Sequence, residues 1–179
     1  MRIIAGTARG LKLKTPRGMS TRPTADRIKE SLFNMLTCML DFNERRVLDL
    51  FAGSGALGLE SMSRGAASAV FIDKSSTDCI IDNARRARFD RIEVIRADVF
   101  RALDRLTDRQ FDLIFVDPPY RMGLAQRTMD LAIEKSLLSS DGLMIVEIGA
   151  DEKISSTLES IRRTQYGQTT AIEIFGRKS

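Results

Sequence analysis

The chain has no histidine and only two cysteines among its 179 residues, and these absences close off much of enzyme chemistry before any motif is read. Without histidine, a Ser-His or Cys-His nucleophilic site is excluded, as is an imidazole general base. Cys38 and Cys79 stand alone with no paired spacing, and a zinc site needs more ligands of this kind than they supply. They read as buried thiols of a reducing cytosol, so the expectation is a cytoplasmic protein with no metal. No apolar stretch approaches the ~18 residues of a membrane span, and Ile3-Ile4-Ala5 is too short for the core of a secretory signal. No membrane partner is expected. The reaction, if there is one, must need little acid–base help.

What is present is a globular composition, 43% hydrophobic and 29% charged, in a length suited to one domain that buries roughly 70% of its unfolded surface. A monomer is the working expectation. The net charge of +4 is unevenly spread: residues 1–30 carry +6 and the remainder −2. Such a basic arm is where a polyanion would bind, although a solvated basic face would look the same.

Residues 2–14 read as two short strands around a turn near Thr7-Ala8-Arg9-Gly10, and 15–23 as a loop set by Pro16, Gly18 and Pro23. Thr24 is placed as the cap of a helix whose apolar stripe is Ile28, Leu32, Met35, Leu36, Met39 and Leu40. From Arg46 onward strands at 46–50, 68–73, 91–96, 112–116 and 142–148 alternate with helices near 55–64, 76–88, 98–106 and 123–138. That alternation predicts an α/β fold with a parallel sheet covered on both faces. A helix around 151–163 and a last strand near 170–176, an antiparallel addition, complete the expectation. The chain divides into an N-terminal extension, 1–40, and a main domain, 41–179.

Two strand ends carry the chemistry. Val47-Leu48-Asp49-Leu50 runs into Phe51-Ala52-Gly53-Ser54-Gly55, and glycines there let backbone approach a ligand closely. With Gly58 the run satisfies G-x-G-x-x-G, which keeps a nicotinamide-dependent oxidoreductase in view. Asp73 ends the next strand, where a carboxylate suits ribose hydroxyls, and Asp98 follows the third, suited to an adenine amine or to capping a helix. Asp49 is a carboxylate in an apolar strand and needs partners, either a ligand's ammonium or the amides of the glycine turn. The second strand end is Phe111-Asp112-Leu113-Ile114-Phe115-Val116 followed by Asp117-Pro118-Pro119-Tyr120. A carboxylate, a rigid carbonyl at Pro118 and an aromatic face at Tyr120 suit the exocyclic amine of a flat base. Together the two ends point to methyl transfer from S-adenosylmethionine to a nucleobase nitrogen, a reaction governed by placement.

These motifs resemble the amino-methyltransferases of the Rossmann-like S-adenosylmethionine-dependent class. With Arg2-Ile3-Ile4-Ala5-Gly6, Arg9-Gly10, Arg22-Pro23-Thr24 and Asp26-Arg27, nearly the whole chain is similar to bacterial 16S ribosomal RNA guanine-N(2)-methyltransferases of the RsmD type, the stretch after Ser155 adding no motif. The resemblance implies a seven-stranded, mostly parallel sheet with a small N-terminal hairpin and helix, and a 16S guanine, position 966, as target. It implies that Asp49, Phe51, Ala52, Gly53, Ser54, Gly55, Asp73, Lys74, Asp98 and Val99 hold the cofactor, with S-adenosylhomocysteine as its product. Asp117, Pro118 and Tyr120 would address the guanine, and Arg2, Arg9, Lys12, Arg22, Thr24 and Arg27 the RNA of the small ribosomal subunit. The rivals are a DNA adenine methyltransferase, for whose recognition region the chain leaves little room, and a non-catalytic RNA-binding module of ribosome assembly.

Overall fold

The computed structural model describes residues 1–16, 23–119 and 123–177, with backbone alone for 23–25. Its elements in chain order are α1 (Pro23–Met39), β1 (Arg46–Leu50), α2 (Ala56–Ser63), β2 (Ser68–Asp73), α3 (Thr77–Ala87), β3 (Ile92–Arg96), α4 (Val99–Leu103), β4 (Phe111–Val116), α5 (Leu124–Glu134), β5 (Leu138–Gly149), β6 (Glu159–Tyr166) and β7 (Thr170–Gly176). The strands form one seven-stranded sheet in the order β3-β2-β1-β4-β5-β7-β6. β1 to β5 are parallel, and β7 lies antiparallel between β5 and β6. This is the Rossmann-like α/β fold.

Period-two alternation sends successive strand residues to opposite faces. Val47, Phe71, Leu113, Phe115, Ile145 and Ile174 face a core closed by α1, α2 and α3 through Leu32, Phe33, Leu36, Leu59 and Ile80. Leu48, Ile72, Ile114, Val116 and Val146 face the other core, closed by α4 and α5 through Leu103 and Met129. The central strands β1, β2 and β4 are largely apolar because both faces are covered, whereas the edge strand β6 is polar and mostly exposed.

Several sequence expectations change. Residues 151–163 hold no helix; the chain runs irregularly and enters β6 at Glu159. Ile154, Leu158 and Ile161 are spaced like a helical stripe, but Ile154 and Leu158 pack at the margin of a core while Ile161 is 47% exposed. The hydrogen-bonding edge of β7 settles the conformation through a tight hairpin at Gly167, overriding local propensity. The first helix begins at Pro23, ahead of Thr24; proline is favoured in the first helical turn, where no amide bond is lost. The expected strands in 2–14 reduce to one antiparallel bridge, Arg2 to Lys12, with Ile3 N–H donating to Leu11 O at 3.0 Å and Gly10 N–H to Ile3 O at 2.9 Å. Neither cysteine is buried: Cys38 is exposed on α1 and Cys79 half-buried on α3, because both helices turn those positions away from the sheet.

The N-terminal stretch is fastened to α2. The buried Glu60 carboxylate accepts from the Ile4 and Ala5 amides at 2.8 and 3.0 Å, from Lys29 Nζ at 3.0 Å and from Arg64 Nε at 3.0 Å. Lys29 Nζ also donates to the Arg2 carbonyl at 2.6 Å. Burial lowers the Lys29 pKa, against the pull of Glu60. Lys29 is therefore an internal cation and no part of the basic surface, and Lys14, though exposed, is paired with Asp82 at 2.8 Å.

Candidate active site

β1 is flanked by β2 on one side and β4 on the other, so the order of strands reverses here and leaves a crevice beyond the carboxyl ends. Leu50 and Val116 are register partners, and the chains leaving them start side by side, about 5 Å apart. One is the glycine turn; the other is Asp117-Pro118-Pro119. The structure thus brings together the two strand ends that the sequence singled out.

The turn is built on strained backbone. Phe51 has φ of 60° and Gly55, the residue before α2, has φ of 77° with no side-chain cap. A non-glycine residue in that region is uncommon and concentrates at ligand sites. Gly58 is required by proximity: a Cβ there would lie 2.3 Å from Phe71 Cε1. Its absence lets α2 sit on β1 and β2 so that the Gly58 amide donates to Asp49 Oδ2 at 2.9 Å. Asp49 is 2% exposed. Burial pushes its pKa up to about 7, the Gly58 amide opposing and the Asp73 charge adding to the rise. The partner for this buried carboxylate is thus an amide of α2.

Asp73 organises the neighbouring loop. Its carboxylate accepts from the Gly53 amide at 2.9 Å and from the Ser75 and Ser76 amides at 2.8 and 2.7 Å. Burial raises its pKa, but the amides of Ser75, Ser76 and Gly53 together hold it below the usual carboxylate value. It is half-buried. Asp98 is exposed and caps α4, accepting from the Phe100 amide at 3.1 Å. Val99 is buried in the core beneath, and Lys74 is exposed. Asp98, Asp73 and Asp49 therefore stand at the ends of adjacent strands β3, β2 and β1, a row spanning about 10 Å. An amine-bearing nucleoside fits that donor set: a buried acceptor for the ammonium, then two carboxylates along its length.

Asp117 continues the row at the end of β4. It has solvent access, yet loss of surrounding water and then the charges of Glu147 and Asp49 push its pKa well above the usual carboxylate value. The open side moderates the first effect, so repulsion between carboxylates is the firmer cause. Pro118 is buried, and Tyr120 lies outside the described residues. A cavity of about 120 Å³ opens beside Pro118 and Pro119, walled by Leu124, Glu147 and Ile154 among others.

Two residues of this region escaped the sequence. Glu147 lies on β5 beside Asp117, since Val116 and Val146 are register partners. Asn83, fully buried on α3, donates to Ser54 O at 3.0 Å and Lys14 O at 2.9 Å and accepts from the Lys14 amide at 2.8 Å. It pins the glycine turn to the N-terminal arm. Neither belongs to a motif; a polar residue amid apolar strand or helix positions was the signal available.

Of the expected RNA contacts, Arg2, Arg9, Lys12 and Arg27 are exposed. Arg2 and Lys12 are bridge partners, and the Arg2 amide reaches Asp26 at 3.3 Å, next to Arg27. Arg9 is apart, at the hairpin turn, while Arg22 and the Thr24 side chain lie outside the described residues. Among the described residues no group of histidine, cysteine or acidic side chains could hold a metal, and no helix is long and apolar enough to cross a membrane.

The family model described as Conserved hypothetical protein 95 matches residues 1–175. Ribosomal RNA small subunit methyltransferase D of Escherichia coli (strain K12) is 33% identical over 183 residues, spanning 100% of this chain and 91% of that protein. Its namesake from Haemophilus influenzae is 37% identical over 162 residues, spanning 86% and 81%. The solved structure of the Escherichia coli protein yhhF superposes with a TM-score of 0.85 at 32% identity, covering 100% of this chain and 99% of that one. The Thermus thermophilus protein TTHA0928 gives 0.84 at 29%, covering 98% and 99%. A match that runs through hairpin, glycine turn, Asp-Pro-Pro-Tyr and the closing strands has one reading: the chain belongs to the Conserved hypothetical protein 95 family, the RsmD family of methyltransferases.

Proposed function

We propose that the protein methylates the exocyclic 2-amino group of a guanine in 16S ribosomal RNA, with S-adenosylmethionine as donor. The observation that carries this reading is the register of Leu50 with Val116, which sets the glycine turn and Asp117-Pro118-Pro119 at one crevice. The names of the relatives, ribosomal RNA small subunit methyltransferase D, support the substrate class.

Asp49 would meet the ammonium of the cofactor, Asp73 its ribose and Asp98 its adenine, with Phe51, Ala52, Gly53, Ser54 and Gly55 lining the turn. When bound, S-adenosylmethionine supplies a methyl group already activated on a sulfonium. The protein's own task is placement. The guanine amine is a poor nucleophile because its lone pair is delocalised into the ring. Asp117 and the Pro118 carbonyl accept its two N–H bonds and turn the lone pair out of the ring plane. One of those protons must leave once the new N–C bond forms, and Asp117, with its raised pKa and open side, accepts it and returns it to solvent. Tyr120, by its place in the motif, supplies the stacking face. The exposed cations of residues 1–40 meet RNA phosphates while 41–179 carries the chemistry.

The test is transfer of labelled methyl to unmodified small subunits, naked 16S RNA and DNA in parallel, with the labelled nucleotide mapped by mass spectrometry. Label on an adenine, or on DNA alone, refutes the proposal.

A further inference from the structure

The cavity beside Pro118 and Pro119 is lined by an acid that the proposed methyl transfer does not use. Glu147 follows the buried run Gly142–Val146 of β5 and stands between Val146 and Ile148, both buried apolar side chains. It faces the same crevice as Asp117: Val116 and Val146 are paired, and the two acids interact across the adjoining strands. The other acid on the cavity wall, Glu152, accepts from the Gly149 amide at 2.8 Å through Oε2. The far wall is held shut by Gln126, which bonds both the Ser155 amide at 2.9 Å and the Ser155 carbonyl at 2.7 Å.

We infer that Glu147 is the residue that selects guanine, accepting the ring N1–H while Asp117 accepts the adjoining amine. This rests on the reading of the site as a guanine-amine methyltransferase and adds to it the basis of base choice. The edge of guanine that carries the amine presents two donors in a row, N1–H and N2–H. Two carboxyl groups on neighbouring strands present two acceptors in a row once both are ionised, a state that the two N–H donors of the base favour against the repulsion between them. Adenine offers a lone pair at N1, and a carboxylate facing that lone pair repels it. A purine with the 2-amino group but without N1–H is excluded on the same ground, although its amine could still be methylated. Sites built to bond an N–H discriminate strongly against analogues lacking it, because the acceptor is left without its partner.

The experiment compares RNA stem-loops carrying guanine or 2-aminopurine at the methylated position, with wild type, Glu147→Gln and Glu147→Ala. Wild type should prefer guanine by at least about 100-fold in kcat/KM. Glu147→Gln, whose amide can donate to a bare N1, should lose at least about 30-fold on guanine and bring the two bases within about threefold. Fluorescence of 2-aminopurine gives binding without turnover: the Gln variant should bind that RNA at least about tenfold tighter than wild type does. Cofactor affinity by calorimetry should stay within about threefold in both variants, which shows that the fold and the turn are intact. If wild type methylates the guanine amine and Glu147→Gln keeps the full preference, the inference is overturned and the function stands. If wild type methylates no guanine amine, the function falls and this assignment with it.

Discussion

Replacing Asp49 by asparagine tests the electrostatics of the crevice through stability rather than activity. The Asp49 carboxyl, 2% exposed, has its pKa carried from 3.8 to about 7 by burial. That displacement corresponds to about 4 kcal/mol by which the fold disfavours the charged form. Since the folded pKa is the higher one, the folded state binds the extra proton between about pH 4 and 7. Stability therefore falls as pH rises through that window and levels off above it. Between pH 5 and pH 8 this one group costs about 2–3 kcal/mol. An asparagine at this position cannot ionise, and its side-chain oxygen still accepts from the Gly58 amide. Urea denaturation at the two pH values should thus show wild type losing about 2–3 kcal/mol more than Asp49→Asn. Removing the charge also relieves Asp117, which adds in the same direction. In the same variant S-adenosylmethionine affinity should drop at least about tenfold, because its ammonium loses a charged partner. Parallel pH profiles, within about 0.5 kcal/mol, would refute the reasoning.

Asp117→Ala should abolish methyl transfer while cofactor affinity by calorimetry stays within about tenfold, since its proposed partner is the base. Asn83→Ala removes the Asn83 partner of the Ser54 carbonyl and of the Lys14 amide, leaves the Lys14 carbonyl only the weak Cys79 thiol donor, and should cost about 2–3 kcal/mol in urea denaturation. Glu60→Ala leaves Lys29 buried without its carboxylate and should cost about 3–5 kcal/mol in the same assay. Arg9→Ala with Arg27→Ala should weaken RNA binding and flatten its salt dependence by about one to two counterions; an unchanged slope would return those residues to the solvated face.

The strands and the two motif-bearing ends were legible because each follows from local pattern. Leu48 and Val47 alternate between cores, and Gly53, Gly55 and Gly58 sit where backbone geometry admits few other residues. What the sequence concealed were dependencies across the chain. Ile154, Leu158 and Ile161 imitate a helix, and only the edge of β7 makes a strand of the residues that follow. Lys29 counts as surface charge until Glu60, from a helix 31 residues later, is seen to bury it. Glu147 looks like an interruption in an apolar strand until the register of β4 with β5 sets it beside Asp117. Local residues announced the site, whereas its second acid and its bracing depend on which strands become neighbours.

The place of β7 bears on how the sheet is assembled. All seven of its residues are buried, and among the described residues it is the sole strand linking β5 and β6. Both neighbours precede it in the chain, so during synthesis each waits with an open hydrogen-bonding edge until β7 emerges. Its insertion is a keystone step: among the described residues β6 pairs with no other strand, and β5 keeps one bare side before it. Truncation ahead of Thr170 would therefore strip out an interior wall rather than trim a margin, and would leave two sticky edges for intermolecular pairing.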